Sequence, residues 1–292
     1  MRYVIALGGN ALVDKRAIGS AAKAIARLYK EGNEIVITHG NGPQVGELAI
    51  AEHESLAVLT AQTQAWIGLN IESSIAKALE ASGQRNSYAI PEVVLTKTVV
   101  SKADSAFRNP TKPIGRFYTK REASRLPKAF KIRKLIDGYR RVVPSPQAKE
   151  IVERDLILKL LGAGHIVIAC GGGGIPVFRK ENRLSFAEAV IDKDNASALL
   201  ALEISAERFI ILTNVDGIYL DFRKKAQRLI GSISSKELQG YFKEGRFESG
   251  SMAPKVKACL DFVNSAHRPA AIGNINKAQN VILGKGTTRI TN

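Results

Sequence analysis

Three glycine-rich segments and three lysines carry the chemistry most visibly in this sequence. Gly8-Gly9-Asn10, Gly40-Asn41-Gly42 and the run Gly171 to Gly174 each follow a short apolar stretch. A single glycine after a strand is usually a turn. Three clusters at equivalent strand ends point further. Glycines let backbone N–H groups approach an anion closely, and a helix N-terminus that follows adds a favourable dipole. The set reads as a cradle for phosphate oxygens or a similar small anion. Phosphoryl transfer needs positive charge around the migrating group, with attacking and leaving oxygens in line. Lys112, Lys193 and Lys255 are the candidate cations. Lys193 stands in Asp192-Lys193-Asp194, and Lys255 in Gly250-Ser251-Met252-Ala253-Pro254-Lys255, each at a helix start. Taken singly, each lysine reads as an ordinary solvated surface residue; the glycine loops give them a shared target. Asp192 and Asp194 could bind magnesium, orient a lysine or cap a helix, and capping is the simplest of the three.

Other chemistries lack their residues. No G-x-x-x-x-G-K-[ST] occurs, and Gly40-x-Gly42-x-x-x-Gly46 is one residue too long for the dinucleotide fingerprint. His39 lies in a glycine loop, where shaping the turn competes with a chemical role. His53, His165 and His267 are scattered and outline no metal site, so no metal-ligating residue is assigned. Cys170 and Cys259 are too few for a disulfide framework, and both fall in apolar stretches. They read as reduced, buried thiols of a cytoplasmic protein. No apolar run approaches a membrane span of about 20 residues, and Met1 to Val13 is no convincing signal peptide.

The 292 residues include 43 basic and 27 acidic side chains, a formal net charge of +16. A global excess of that size first suggests nucleic acid. Its distribution argues otherwise. Fourteen basic residues and three acids lie between Lys97 and Arg141, so this one segment carries +11 of the +16. No RNA-binding motif or aromatic stacking pattern accompanies the charge, which ranks a nucleic-acid-binding regulatory protein low.

Elements that would position these residues follow from the apolar periodicity. Strands are expected at Tyr3–Leu7, Glu34–Thr38, Val93–Thr96, Ile166–Cys170, Phe209–Thr213, Ala270–Ile272 and Val281–Leu283. Ile18, Ala22, Ile25 and Leu28 mark one helix, ended by Gly32; Ile67, Ile71, Ile75 and Leu79 mark another. Ser145 and Pro146 read as the start of a helix running to about Leu161, and Asp194 as the cap of a helix from Asn195 to Ser205. Ser234 and Glu237 have capping-box spacing, and Ser251 opens a helix bearing Val256, Leu260 and Val263. Alternating strands and helices predict an α/β three-layer αβα sandwich around a mostly parallel sheet, with ligands beyond the carboxyl ends of its strands.

Collectively, these motifs resemble the carbamate kinases of the amino-acid kinase superfamily. The resemblance is carried by Ala6-Leu7-Gly8-Gly9-Asn10-Ala11, Thr38-His39-Gly40-Asn41-Gly42-Pro43-Gln44-Val45-Gly46 and Asn109-Pro110-Thr111-Lys112-Pro113-Ile114-Gly115. It continues through Arg140-Arg141-Val142-Val143-Pro144-Ser145-Pro146, Gly171 to Val177, Ala189 to Asp194, Ile211 to Asp216 and Gly250 to Val256. The segments appear in family order and span almost the whole chain. The resemblance implies one amino-acid kinase domain over 1–292, usually dimeric. Residues 1–190 would bind carbamate or carbamoyl phosphate, with a protruding lobe at about 107–141, and residues 191–292 would bind the nucleotide. The implied reaction is ATP + carbamate ⇌ ADP + carbamoyl phosphate, with Mg2+ accompanying ATP or ADP.

By the same resemblance, Gly8, Gly9, Asn10, Gly40, Asn41, Gly42, Gly171 and Gly172 would surround the small substrate. Lys193 and Lys255 would neutralise phosphate charge, Asp194 would hold them, and Lys112 would reach in from the lobe. Thr213, Asp216, Tyr219, Met252 and Pro254 would line the nucleotide site together with Lys193 and Lys255. Ala6 stands where many amino-acid kinases carry the lysine of K-x-G-G, which separates this chain from acetylglutamate, uridylate and aspartate kinases. A related kinase acting on another small acid or phosphate is the nearest alternative. The chain departs from the pattern in a short stretch between Asn10 and Ile25, in Asn214 where Asp is common, in Ala253, and in the strongly basic lobe.

Overall fold

Both faces of the strand Arg2–Leu7 are buried, and that decides the architecture. Val4 and Ala6 belong to one hydrophobic cluster, Tyr3, Ile5 and Leu7 to another. Successive side chains on a strand point to opposite faces, so helices must cover both. The computed structural model describes residues 1–8, 14–51, 54–83, 91–135, 137–222, 225–247 and 252–292.

The strands are β1 (Arg2–Leu7), β2 (Glu34–His39), β3 (Glu92–Val93), β4 (Lys97–Val99), β5 (Lys112–Tyr118), β6 (Lys131–Leu135), β7 (Gly138–Val143), β8 (Glu150–Ile151) and β9 (Val167–Ile168). They continue with β10 (Ile175–Lys180), β11 (Arg183–Phe186), β12 (Arg208–Thr213), β13 (Tyr219–Leu220), β14 (Arg228–Leu229), β15 (Ser232–Ser234), β16 (Ala270–Asn274) and β17 (Thr288–Thr291). The helices are α1 (Lys15–Lys30), α2 (Gly42–Ala51), α3 (Leu56–Ala81), α4 (Lys120–Ala123), α5 (Arg154–Gly162), α6 (Lys193–Glu203), α7 (Ser235–Lys243), α8 (Met252–Ala266) and α9 (Ala278–Ile282).

The main sheet runs β15-β17-β16-β12-β1-β2-β9-β3 and is parallel except where β16 meets β17. Helices α1, α3 and α9 pack on one face; α5, α6, α7 and α8 pack on the other. This is the expected three-layer αβα arrangement. Because β1 sits between β2 and β12, the loops after all three strands emerge together at the carboxyl edge. Gly8 N donates to Leu212 O at 2.9 Å and Gly40 N to Leu7 O at 3.1 Å, which ties those loop roots together.

A second sheet, β11-β10-β4-β8, carries the lobe between β4 and β8. The lobe's own sheet is antiparallel β5-β7-β6. Its root docks backbone to backbone. A Cβ on Gly46 of α2 would lie 1.9 Å from Gly115 N, and Gly115 itself adopts φ +70°. Ile114 packs in a cluster with Val45, Ala49 and Val143, so β5 is fixed to α2 over its first half.

Several expectations are corrected. The chain at Ser145 and Pro146 is extended, and the helix begins at Arg154 instead. Pro146 disfavours helix in the residue before it. The backbone of this stretch is also claimed by neighbours: Gln147 N donates to Asp104, Ala148 N to Asn195, and Lys149 N to Val99 O. The cap of α6 is Asp192, with Asp194 in its first turn. Val281–Leu283 is not a strand; Val281 and Ile282 close α9, and the last strand is Thr288–Thr291. A three-residue apolar run cannot distinguish the two periods. The stretch Val93–Thr96 is divided, with β3 ending in the main sheet at Val93 and β4 starting in the second at Lys97. Within Ile166–Cys170 only Val167–Ile168 pairs as strand. Ser251 lies outside the described residues.

The glycine contact gives a paired test. Gly46→Ala should lose about 1–3 kcal/mol, the usual range for overpacking. Gly19→Ala, inside α1 with open space around it, should gain about 0.5–1 kcal/mol. Urea unfolding of both variants against the parent checks the contrast.

Candidate active site

A cleft of about 610 Å³ opens where the loops after β1, β2 and β12 meet the starts of α6 and α8 and the underside of the lobe. Its lining includes Gly8, Gly40, Asn41, Gly42, Gly172, Lys112, Lys193, Asp194 and Lys255. Thr213, Tyr219, Met252 and Pro254 line it as well. Residues expected from seven separated parts of the chain thus share one cavity.

Its charged centre is a bridge of three side chains. Lys193 Nζ donates to Asp194 Oδ1 at 2.5 Å, and Lys255 Nζ donates to Asp194 Oδ2 at 2.9 Å. The Asp194 side chain is 3% exposed and those of Lys193 and Lys255 are 11% and 14% exposed. Burial alone would raise the Asp194 carboxyl, but Lys193 and then Lys255 outweigh it and hold the group well below the usual carboxylate range. Burial pulls Lys193 below its ordinary value, with Lys255 adding to the fall and Asp194 opposing it. For Lys255 the attraction of Asp194 overcomes burial, and its value rises. Two ammonium groups on one carboxylate leave one positive charge uncompensated beside the cavity. Capping by Asp192 is what frees Asp194 for this bridge.

The glycine loops are held by packing that only small residues permit. Gly171 to Gly173 form a 3-10 turn after β9. A Cβ on Gly171 would meet His39 Nε2 at 2.5 Å, and one on Gly172 would meet Asn41 Nδ2 at 2.2 Å. Gly172 also takes φ +63°, which side chains rarely adopt. Behind the turn, Gln64 exchanges two hydrogen bonds with the Thr96 backbone, Thr96 Oγ1 accepts from Cys170 N, and Thr98 Oγ1 donates to Gly173 O. Asn41 Nδ2 donates to Thr63 Oγ1 at 2.9 Å. His39 Nδ1 donates to Gly40 O at 3.1 Å, and burial lowers this imidazole to about 4. His39 therefore shapes the turn as a neutral, enclosed ring.

Not every expected residue faces the cavity. Gly171 lies behind it, buried against His39. Asp216 turns to Asn274 Nδ2 at 3.1 Å and Lys277 Nζ at 2.9 Å, bracing the chain after β12 against β16. Gly9 and Asn10 lie outside the described residues. Cys170 and Cys259 are fully buried and burial pushes both thiols up, which leaves them as packing residues. Sequence reasoning missed Thr63, Gln64, Thr96 and Thr98, whose buried hydroxyls and amide carry no local signal. It also passed over Phe222, Arg246 and Phe247, which line the cavity near Tyr219. Arg140 lines it too, with Nη2 donating to Gly115 O at 2.5 Å. That residue was visible in Arg140-Arg141-Val142-Val143-Pro144 but had no assigned task.

Residues 1–274 match the family model described as the amino acid kinase family. Relatives named carbamate kinase from Trichomonas vaginalis and Pyrococcus furiosus are each 39% identical, with 99% of this chain covered and 99% and 98% of theirs. The chain belongs to the amino acid kinase family, in its carbamate kinase branch. A solved carbamate kinase from Giardia lamblia bound to AMP-PNP superposes with a TM-score of 0.88 at 36% identity, over 99% of this chain and 98% of that one.

His39 supplies a pH test. Its folded value of about 4 lies below the ordinary 6.5, so the unfolded chain binds more protons between those limits and stability rises with pH there. Going from pH 6.5 down to pH 4 should cost up to about 3 kcal/mol through this one group. Urea midpoints across that window should fall steeply for the parent chain and less steeply for His39→Gln.

Proposed function

We propose that the chain transfers a phosphoryl group reversibly between ATP and carbamate, giving ADP and carbamoyl phosphate. The observation that carries this reading is the Lys193–Asp194–Lys255 bridge set at the meeting point of the glycine loops, in a carbamate kinase relative of this length. The migrating group spreads negative charge over its equatorial oxygens in the transition state. The uncompensated positive charge of the bridge is already in place to receive it, so little reorganisation is needed at the moment of reaction. Carbamate is an anionic nucleophile, and no strong general base is required. Neutral, enclosed His39 is consistent with that. Catalysis then rests on alignment and electrostatics, without a covalent enzyme intermediate.

In this reading residues 1–190 bind the small substrate. Backbone amides at Asn41, Gly42 and Gly172 face its oxygens, while Gly8 and Gly40, whose own N–H groups bond Leu212 O and Leu7 O, shape the loop roots beside it. Gly9 and Asn10 are assigned by family likeness, with Gly171 in support. Residues 191–292 bind the nucleotide beside Thr213, Tyr219, Met252 and Pro254, which line the cleft together; the Giardia relative binds the ATP analogue AMP-PNP. Asp216 supports that wall from behind. Lys112 descends from the lobe, which covers the small-substrate side. Mg2+ would enter with the nucleotide, as the family likeness implies; both Asp194 oxygens are engaged by lysines. A homodimer and a cytoplasmic location complete the reading by family likeness.

A coupled assay for ATP formed from ADP and carbamoyl phosphate tests the function directly. Activity with another acceptor and none with carbamate would reverse it. Lys193→Ala should lose on the order of 10²-fold or more in kcat with the fold intact, as for removal of an oxyanion-hole donor. Lys112→Ala should lower kcat/KM; an unchanged value would contradict the lobe's role in substrate capture.

A further inference from the structure

Asp192 divides two tasks between two oxygens. Oδ1 accepts from Asp194 N at 2.9 Å and Asn195 N at 3.4 Å, which caps α6. Oδ2 accepts from Lys112 Nζ at 2.5 Å, across the gap from the lobe. A helix cap requires an oxygen but no charge, since Asn and Ser cap about as well as Asp. The negative charge of Asp192 is therefore surplus to the cap and is matched by Lys112. We propose that Asp192 is a positioning residue for phosphoryl transfer, holding the Lys112 ammonium over the cleft from the first turn of α6. The proposal rests on the phosphoryl-transfer reading above.

The surroundings support a positioning task. The backbone of β5 is fixed near Lys112 by buried Ile114 and by the Gly46–Gly115 contact. That leaves the long Lys112 side chain as the unfixed part, and an unrestrained lysine loses rotamer freedom when a ligand orders it. A lysine already held by a carboxylate gives up that freedom on folding. Lys112 and Asp192 both line the cleft, and their side chains are 34% and 21% exposed, so a ligand can reach the ammonium without disturbing the pair. Asp192 and Lys193 are adjacent. One helix start thus sets the positions of two lysines: Lys193 through the backbone and Lys112 through an ion pair. The charges alternate along the series Lys112, Asp192, Lys193, Asp194, Lys255, taken from β5, α6 with its cap, and α8.

Asp192→Asn separates the tasks, because it keeps a capping acceptor and removes the charge. Its urea midpoint should match the parent. Its kcat/KM for carbamoyl phosphate should fall about tenfold or more, the scale of one charge-assisted hydrogen bond. Asp192→Ser should behave alike and guards against a folding defect peculiar to Asn. The decisive readout is the double variant with Lys112→Ala: if Asp192 acts through Lys112, the double loss equals the Lys112→Ala loss alone. Losses that multiply overturn the proposal, as does either Asp192 variant within twofold of the parent. A parent chain that forms no ATP overturns the phosphoryl-transfer reading and this proposal together, whereas an active parent with unimpaired Asp192 variants overturns this proposal alone.

Discussion

A single buried carboxylate shared by two lysines is the constraint around which the rest of this fold is arranged. Two ammonium groups cannot be brought together away from water unless an anion compensates them. Asp194 does so, and each lysine stands at or near the start of a helix on the same face of the sheet. Helices α6 and α8 pack through one apolar cluster, and Phe262 of α8 meets Phe209 of β12 with ring centroids 5.5 Å apart. Core packing therefore fixes the spacing of the two lysines. Ser197 extends the same logic, donating to Lys193 O at 2.6 Å while its oxygen lies 2.6 Å from Thr38 Oγ1 on β2. The start of α6 is tied to the strand whose loop carries Gly40 and Asn41.

How much of this was legible depended on how local the signal was. Long apolar runs such as Tyr3–Leu7 and stripes such as Ile67, Ile71, Ile75 and Leu79 announce their own period, and they appear where expected. The glycine loops were legible because three of them fell at comparable strand ends. The lysines became informative only together. What failed was decided by partners distant in sequence. The extended path at Ser145 follows from Asp104, Val99 and Asn195 claiming its neighbours' N–H groups. The choice of Asp192 over Asp194 as cap depends on two lysines, one of them 61 residues further on. Thr63, Gln64, Thr96 and Thr98 act only because β4 and α3 enclose the third glycine turn.

The charge of the lobe also acquires a finer meaning. Some of its cations are internal struts: Arg141 lies over Phe130 at 3.8 Å, Arg116 over Tyr118 at 5.0 Å, and Arg140 over Phe117 at 5.1 Å. Burial lowers both Arg140 and Arg141, as expected for guanidinium groups packed on rings. Lys120, Arg121, Arg125 and Lys128 remain exposed. A surface of one sign beside a cleft raises the local concentration of anions there. The +11 of this segment thus divides between cations that hold the lobe's shape, exposed cations on its surface, and Lys112 and Arg140, which line the cleft.

The lobe enters and leaves through adjacent strands. Thr98 pairs with Ile151 and Val99 with Glu150, so the chain departs from β4 and returns beside it in β8. The host sheet does not need the intervening segment in order to close its own ladder. A segment mounted this way can lengthen, shorten or be exchanged as a cassette while its host continues to fold. Beyond that strand pair it is attached by the glycine contact with α2, the apolar cluster around Ile114, the Phe107–Phe178 ring contact, Arg141 Nη1 donating to Ala49 O at 3.4 Å and the reach of Lys112. The fold thereby separates two parts: the sheet and its charged bridge pack as one unit, while the cover is threaded out and back through one edge of the second sheet and reaches the cleft with Lys112.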